Sequence, residues 1–266
     1  MADERARLES ACDGRVAVIA LAAPKANILD RAMLADIAGH LARLEGRTDL
    51  AAIVIKADGS HFSYGASVEE HLPPAIEQTL GALHGVLRQL IDAPAPTMAA
   101  VRGRCLGGGF ELVLACDLVL AEDEAQFACP EITLGVFPPA ASALLPVRVG
   151  TGRAAALTIT GAPISARDAA AAGLVARLVP TGTLDAALDA WLAESFLPRS
   201  APALRCTSIA VRHEARYAVN EILPALERLY LQDLMSQPDA EEGIRAFLEK
   251  RSPRWRAAVS ATELTP

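Results

Sequence analysis

Two hydrophobic periods alternate along the chain. Residues 15–22 (RVAVIALA), 51–56 (AAIVIK) and 97–101 (TMAAV) are short, nearly unbroken apolar runs, the pattern of buried strands. Segments with helical spacing lie between them. One covers residues 31–44, with Asp30 placed to cap it. Another covers 75–91 and stops at Ala93-Pro94-Ala95-Pro96, while Asp58-Gly59-Ser60 is a turn. After residue 101 the chain breaks at Gly103 and reaches Gly107, Gly108 and Gly109. A helical pattern (Phe110, Glu111, Leu112, Leu114, Ala115) and a strand at 118–121 follow. Residues 132–142 (ITLGVFPPAAS) predict a loop, 141–160 a helical stretch, 160–165 a turn and 174–179 a late short strand. From Thr183 onward the pattern is helical, with breaks at Pro198, Pro202 and Pro238 and a boundary placed near 200. The β–α–β rhythm predicts an α/β protein with crossover connections.

Composition narrows the classes. A chain of 266 residues, 52% hydrophobic, has room for a large core. A net charge of −7 disfavours a general nucleic-acid or membrane-surface role. The five cysteines, at 12, 105, 116, 129 and 206, form no C-x-x-C pair and read as reduced thiols of a cytoplasmic protein. The start, MADERARLES, lacks the apolar core of a signal peptide, and no apolar run reaches membrane-spanning length.

The candidate chemistry centres on residues 96–131. Glycines between a strand and a helix let the backbone adopt positive φ and approach another molecule closely. The helix start then presents unpaired N–H groups, which suit a developing oxyanion. Glu111 follows Gly108 by three residues, so one helical turn brings its carboxylate near those groups. A glycine-rich turn beside a surface glutamate remains the plain alternative. Gly150-Thr151-Gly152-Arg153 only superficially fits a dinucleotide fingerprint and reads as a helix–helix bend. No G-x-S-x-G, H-E-x-x-H or EF-hand pattern is present.

Two motifs carry a resemblance. Residues 103–117, GRCLGGGFELVLACD, and 61–70, HFSYGASVEE, resemble the two signatures of the crotonase (enoyl-CoA hydratase/isomerase) superfamily, in the expected order and spacing. The likeness runs from Val16 to Arg251. It implies an α/β spiral of repeated ββα units over residues 1–200 that binds acyl-CoA, and a helical region, 201–266, for oligomerisation and CoA contact. It also implies an oxyanion hole from the N–H groups of Ala66 and Gly108, and an acid/base pair of Glu111 and Glu131. Lys25 and Ala26 match a segment near CoA. Phe247 and Lys250 match one that reaches the CoA of a neighbouring subunit. Ser67, Val68 and Phe137 are placed at the substrate. The resemblance implies no metal and no cofactor, CoA entering only as part of the substrate thioester. It further implies a homotrimer or a dimer of trimers, with no nucleic-acid or membrane partner.

Several positions depart from the common pattern. Ser67 stands where many relatives have Asp, Phe137-Pro138-Pro139-Ala140-Ala141-Ser142 replaces a glycine-rich run, and Asn27-Ile28-Leu29-Asp30 has an unusual order. Together they resemble the cyclic dienoyl-CoA hydratases of anaerobic aromatic degradation, which turn cyclohexa-1,5-diene-1-carbonyl-CoA into 6-hydroxycyclohex-1-ene-1-carbonyl-CoA. In that reading Pro138 and Pro139 stiffen a loop, Phe137 forms an apolar wall, and Ala140 and Ala141 leave space for the ring. The alternatives are a straight-chain enoyl-CoA hydratase or isomerase and, from another class, an inactive acyl-CoA-binding protein.

Overall fold

The apolar runs become neighbours in one sheet. The structure, a computed structural model, describes residues 4–23 and 26–256. β1 (Ala6–Ala11) pairs antiparallel with β2 (Val16–Leu21). α1 (Arg31–Leu44) follows, its first turn capped by the Asp30 carboxylate, which accepts from the Met33 N–H at 2.9 Å. β3 (Ala52–Ala57) lies parallel to β2, α2 (Ile76–Ile91) crosses over, and β4 (Thr97–Val101) lies parallel to β3. The chain then steps into a second, smaller sheet at β5 (Arg104–Leu106) and enters α3 (Gly108–Leu114). β6 (Leu118–Glu122) returns beside β4, and β7 (Gln126–Ala128) lies parallel to β5. The preceding turn follows the same path, since Ser63, downstream of β3, bridges Cys105 of β5. Each turn is thus a strand of the large sheet, a short strand of the small one, and a helix.

The spiral closes more irregularly. α4 (Pro139–Val149) and α5 (Thr151–Thr160) are separate helices, because Gly150 takes φ +78° between them. β8 (Ile164–Ser165) pairs antiparallel with β7, α6 (Ala166–Ala171) follows, and β9 (Arg177–Val179) lies parallel to β6. The large sheet therefore reads β1-β2-β3-β4-β6-β9 and the small one β5-β7-β8. Beyond it come α7 (Leu184–Ser195), α8 (Ala201–Val211), α9 (His213–Tyr217), α10 (Leu223–Arg228) and α11 (Pro238–Leu248). Wider, π-helical turns occupy Ala218–Ile222 and Leu229–Leu234.

Both faces of the large sheet are covered, which explains the unbroken apolar runs. Ile19, Leu21 and Ile55 pack under Leu34, Ile37, Leu87 and Leu90 of α1 and α2. Val16, Val18, Val54 and Met98 pack on the other face against Leu184, Leu188 and Trp191 of α7. The C-terminal helices fold back on this core, Val219 and Leu223 joining the main cluster. One buried ion pair ties them down. The Arg212 guanidinium, 3% exposed, grips Asp117 through Nε at 2.8 Å and Nη2 at 2.6 Å. It also donates to the carbonyls of Ala93 and Ala95, each at 2.7 Å. Removing one partner would strand the other charge in the interior, at a cost of about 3–5 kcal/mol. Among the described residues no helix is long and apolar enough to cross a membrane.

The sequence reading omitted three strands and misassigned one loop. β1 was hidden in the charged start of the chain, because it is an edge strand whose Arg7 and Glu9 stand toward solvent and face each other. β5 and β7 are three residues each, too short to show a period. Residues 132–142 are not one loop: Pro130–Leu134 is a 3₁₀ turn, and Pro139 opens α4, where a missing N–H costs nothing.

Candidate active site

The two spiral turns around α3 enclose a cavity of about 780 Å³. Ala66, Ser67 and Val68 form one wall, Gly107, Gly108 and Glu111 a second, and Glu131, Phe137, Pro138 and Pro139 a third. Ile76, Leu80 and Leu83 of α2 supply an apolar floor. Ala26 reaches the rim, and Tyr230, Phe247 and Leu248 close the cavity from the C-terminal helices. Lys250 does not line it: this exposed residue sits past the end of α11 with φ +54°. Lys25 lies outside the described residues.

The segment bearing Ala66 is held by a chain of hydrogen bonds. The Asn27 side chain accepts from the Ala23 N–H at 3.0 Å and donates to the carbonyls of Asp58 and His61 at 3.0 and 3.1 Å. The Ser63 hydroxyl donates to the Asn27 carbonyl at 2.7 Å and accepts from the Gly65 N–H at 3.0 Å. Against this segment lies the start of α3. A Cβ on Gly108 would stand 3.2 Å from the Ala66 nitrogen, closer than side chains usually pack, so glycine eases the approach of the two backbones. Among the described residues neither the Ala66 nor the Gly108 N–H donates to a protein acceptor. Two free donors on one cavity can hold an oxyanion.

Glu111 and Glu131, twenty residues apart in sequence, come together here. Glu111 sits in the first turn of α3, 3% exposed, and accepts from the Ala141 N–H at 2.8 Å. Burial raises its pKa, opposed by the charge of His84 and by the N–H groups of Ala141 and Ala140. Glu131 projects from the 3₁₀ turn past Gly107, which takes φ +49° and whose Cβ would lie 2.8 Å from Glu131 Oε1. Its Oε2 is sealed without a protein partner among the described residues. Burial and the neighbouring Glu111 push the Glu131 carboxyl up. Burial raises both carboxyls, but their partners differ: Glu111 accepts from the N–H groups of α4, whereas Glu131 Oε2 has no protein donor among the described residues.

The sequence reading missed what holds Glu111. Ala140 and Ala141 do not leave space for a substrate. They are fully buried in the first turn of α4, and their N–H groups face the carboxylate. It also missed His84, buried on α2, whose Nδ1 meets Glu227 Oε1 at 2.6 Å and holds that carboxyl below its ordinary value. A histidine inside an amphipathic helix gives no sequence signal of this pairing. Among the described residues no three His, Cys, Asp or Glu side chains are arranged for a metal ion.

A profile of the enoyl-CoA hydratase/isomerase family matches residues 12–258. The chain belongs to the enoyl-CoA hydratase/isomerase family. Within it, the chain is 43% identical to cyclohexa-1,5-dienecarbonyl-CoA hydratase of Thauera aromatica, over 91% of this chain and 93% of that one. It is 35% identical to 2,3-dehydroadipyl-CoA hydratase of Escherichia coli, over 91% and 95%. An enoyl-CoA hydratase from Mycobacterium avium subsp. paratuberculosis superposes with a TM-score of 0.84 at 25% identity, covering 95% of this chain and 99% of that one. The protein thus has the crotonase fold and is an enzyme of the enoyl-CoA hydratase type, a hydro-lyase.

Proposed function

We propose that the cavity adds water to a cyclic dienoyl-CoA, converting cyclohexa-1,5-diene-1-carbonyl-CoA to 6-hydroxycyclohex-1-ene-1-carbonyl-CoA. The observation that carries this reading is the buried, unequal carboxylate pair on one cavity with two free N–H groups. The ring assignment draws support from the 43% identity to the Thauera hydratase and from a wall made of Phe137, Pro138 and Pro139.

The chemistry follows from the substrate. Glu111, ionised, takes a proton from water, and the water oxygen bonds to ring carbon 2, β to the thioester. The displaced π electrons move toward the thioester oxygen, which the N–H groups of Ala66 and Gly108 hold. Such a donor is worth about 3–4 kcal/mol of barrier. The resulting dienolate spreads its charge to ring carbon 5, where protonated Glu131 delivers its proton. A double bond remains between carbons 1 and 6, and renumbering gives the 6-hydroxy product. Oxygen and proton arrive at opposite ring carbons, so one carboxylate serves poorly and two, on separate elements, serve well.

Ala26, Ser67, Val68 and Phe247, all on the cavity, frame the acyl-CoA. Lys25 is assigned to CoA by the family motif, and Lys250, outside its own cavity, to the CoA of an adjoining subunit in a homotrimer or dimer of trimers. No metal or further cofactor takes part in this scheme. The test is a panel of cyclic and straight-chain enoyl- and dienoyl-CoA esters, followed by ultraviolet absorbance and product mass. The cyclic diene is expected to have the highest kcat/KM. Crotonyl-CoA turned over equally well would point to a straight-chain hydratase.

A further inference from the structure

Tyr230 is the one aromatic polar side chain contributed to the cavity by the C-terminal helices among the described residues. It is 1% exposed, and its ring packs edge-on against Phe137 at 5.5 Å between centroids. It belongs to a buried cluster with Ile76, Leu80, Val136 and Ile244, all aliphatic. Yet its hydroxyl is buried without a protein hydrogen-bond partner among the described residues. Buried tyrosine hydroxyls usually find a partner, and an unpaired one is destabilising. Phenylalanine would fill the same space without that cost. The backbone is also unusual here, because Tyr230 stands in the π-helical turn Leu229–Leu234, a form of helix that recurs at functional sites.

The surroundings show what the hydroxyl faces. Tyr230 shares the cavity with both glutamates. Burial first, then the charge of Glu131 and that of Glu111, raise the phenol pKa, so it keeps its proton and acts as a donor. Glu111, ionised, cannot donate to the attacking oxygen, and in the proposed mechanism the Glu131 proton goes to ring carbon 5. That oxygen has two lone pairs, of which one bonds to carbon, and a donor to the other would fix its direction.

Resting on the hydratase reading, we propose that the Tyr230 hydroxyl is a third catalytic group. It donates a hydrogen bond to the oxygen that adds to the substrate, which is water before the step and the product hydroxyl after it. Tyr230 keeps its proton throughout, so the proton balance stays with Glu111 and Glu131. In the reverse direction the same bond stabilises the departing hydroxide.

The test is Tyr230→Phe, compared with wild type on crotonyl-CoA and the cyclic dienoyl-CoA, with butyryl-CoA as an unreactive probe of binding. The expected result is a fall in kcat on the order of 100-fold, with KM and butyryl-CoA affinity within about twofold. The limbs of the pH–rate profile stay in place, because they belong to the glutamates, and the unfolding midpoint is unchanged or higher. A kcat within about twofold of wild type would overturn the role. So would a parallel loss of butyryl-CoA binding, which would make Tyr230 part of the cavity's shape. A wild-type protein inert toward both substrates would overturn the hydratase reading, and this role with it. An active wild type with an equally active Tyr230→Phe overturns the role alone.

Discussion

At the scale of single residues, the proposed mechanism depends on two carboxyl groups kept in opposite protonation states. Turnover needs Glu111 ionised and Glu131 protonated. The rate is therefore expected to fall as pH drops through the raised value of Glu111, and again as pH climbs through about 8 at Glu131. Glu111→Gln and Glu131→Gln should each lower kcat by at least about 100-fold. Stability carries the same signature. A carboxyl whose folded pKa lies above its ordinary 4.5 binds its proton more tightly when folded. Stability then declines as pH rises from that ordinary value through the folded one. Glu131→Gln should accordingly raise the thermal midpoint more at about pH 9 than at about pH 5. A gain of equal size at both would mean that Glu131 is not desolvated.

At the scale of elements, sequence and structure diverge in an instructive place. The strands at 97–101 and 118–121, the helix from Asp30 and the glycine turn were all legible, because each carries a local pattern that tertiary packing reinforces. So were Glu111 and Glu131, which a motif marks. The start of α4 was not. Phe137-Pro138-Pro139-Ala140-Ala141 contains the residues of a loop, yet Pro139 opens a helix whose first turn is met by a carboxylate thirty residues upstream, Glu111 accepting from the Ala141 N–H. That is a long-range cap, invisible to any window of sequence. Tyr230 and His84 were unread for the same reason: their roles lie in what they meet, not in their spacing. In the proposed reading Pro138 and Pro139, on the cavity wall and at the start of α4, bear on chemistry as well as shape. Replacing both with glycine frees the unfolded chain and should cost about 1 kcal/mol at each site. It should also lower kcat by loosening Glu111, and narrow the preference for a cyclic diene over crotonyl-CoA. Thermal unfolding and the ratio of kcat/KM values read these effects separately. An unchanged ratio would separate the prolines from substrate choice.

At the scale of the whole molecule, the C-terminal helices have two surfaces with different fates. Leu226, Leu231 and Leu234 pack on the protein's own core. Val211, Tyr217, Ile222 and Leu229 stay outside, at 68, 56, 40 and 46% exposure. Apolar groups exposed in this region would suit a contact between subunits. Sedimentation velocity at micromolar concentration is expected to show a trimer or hexamer, and Leu229→Glu with Tyr217→Glu to shift the distribution toward smaller species. A monomeric wild type would remove the adjoining subunit on which a CoA role for Lys250 depends.

The division of the cavity between distant parts of the chain also orders events in time. Glu111, Glu131 and the glycine turn leave the ribosome well before Tyr230, Phe247 and Leu248, which close the same cavity. At ordinary rates of synthesis the interval is roughly ten seconds. During it the two glutamates and the glycine turn have no C-terminal wall over them. A nascent chain stalled before residue 230 holds both glutamates and lacks part of the wall of the cavity they share.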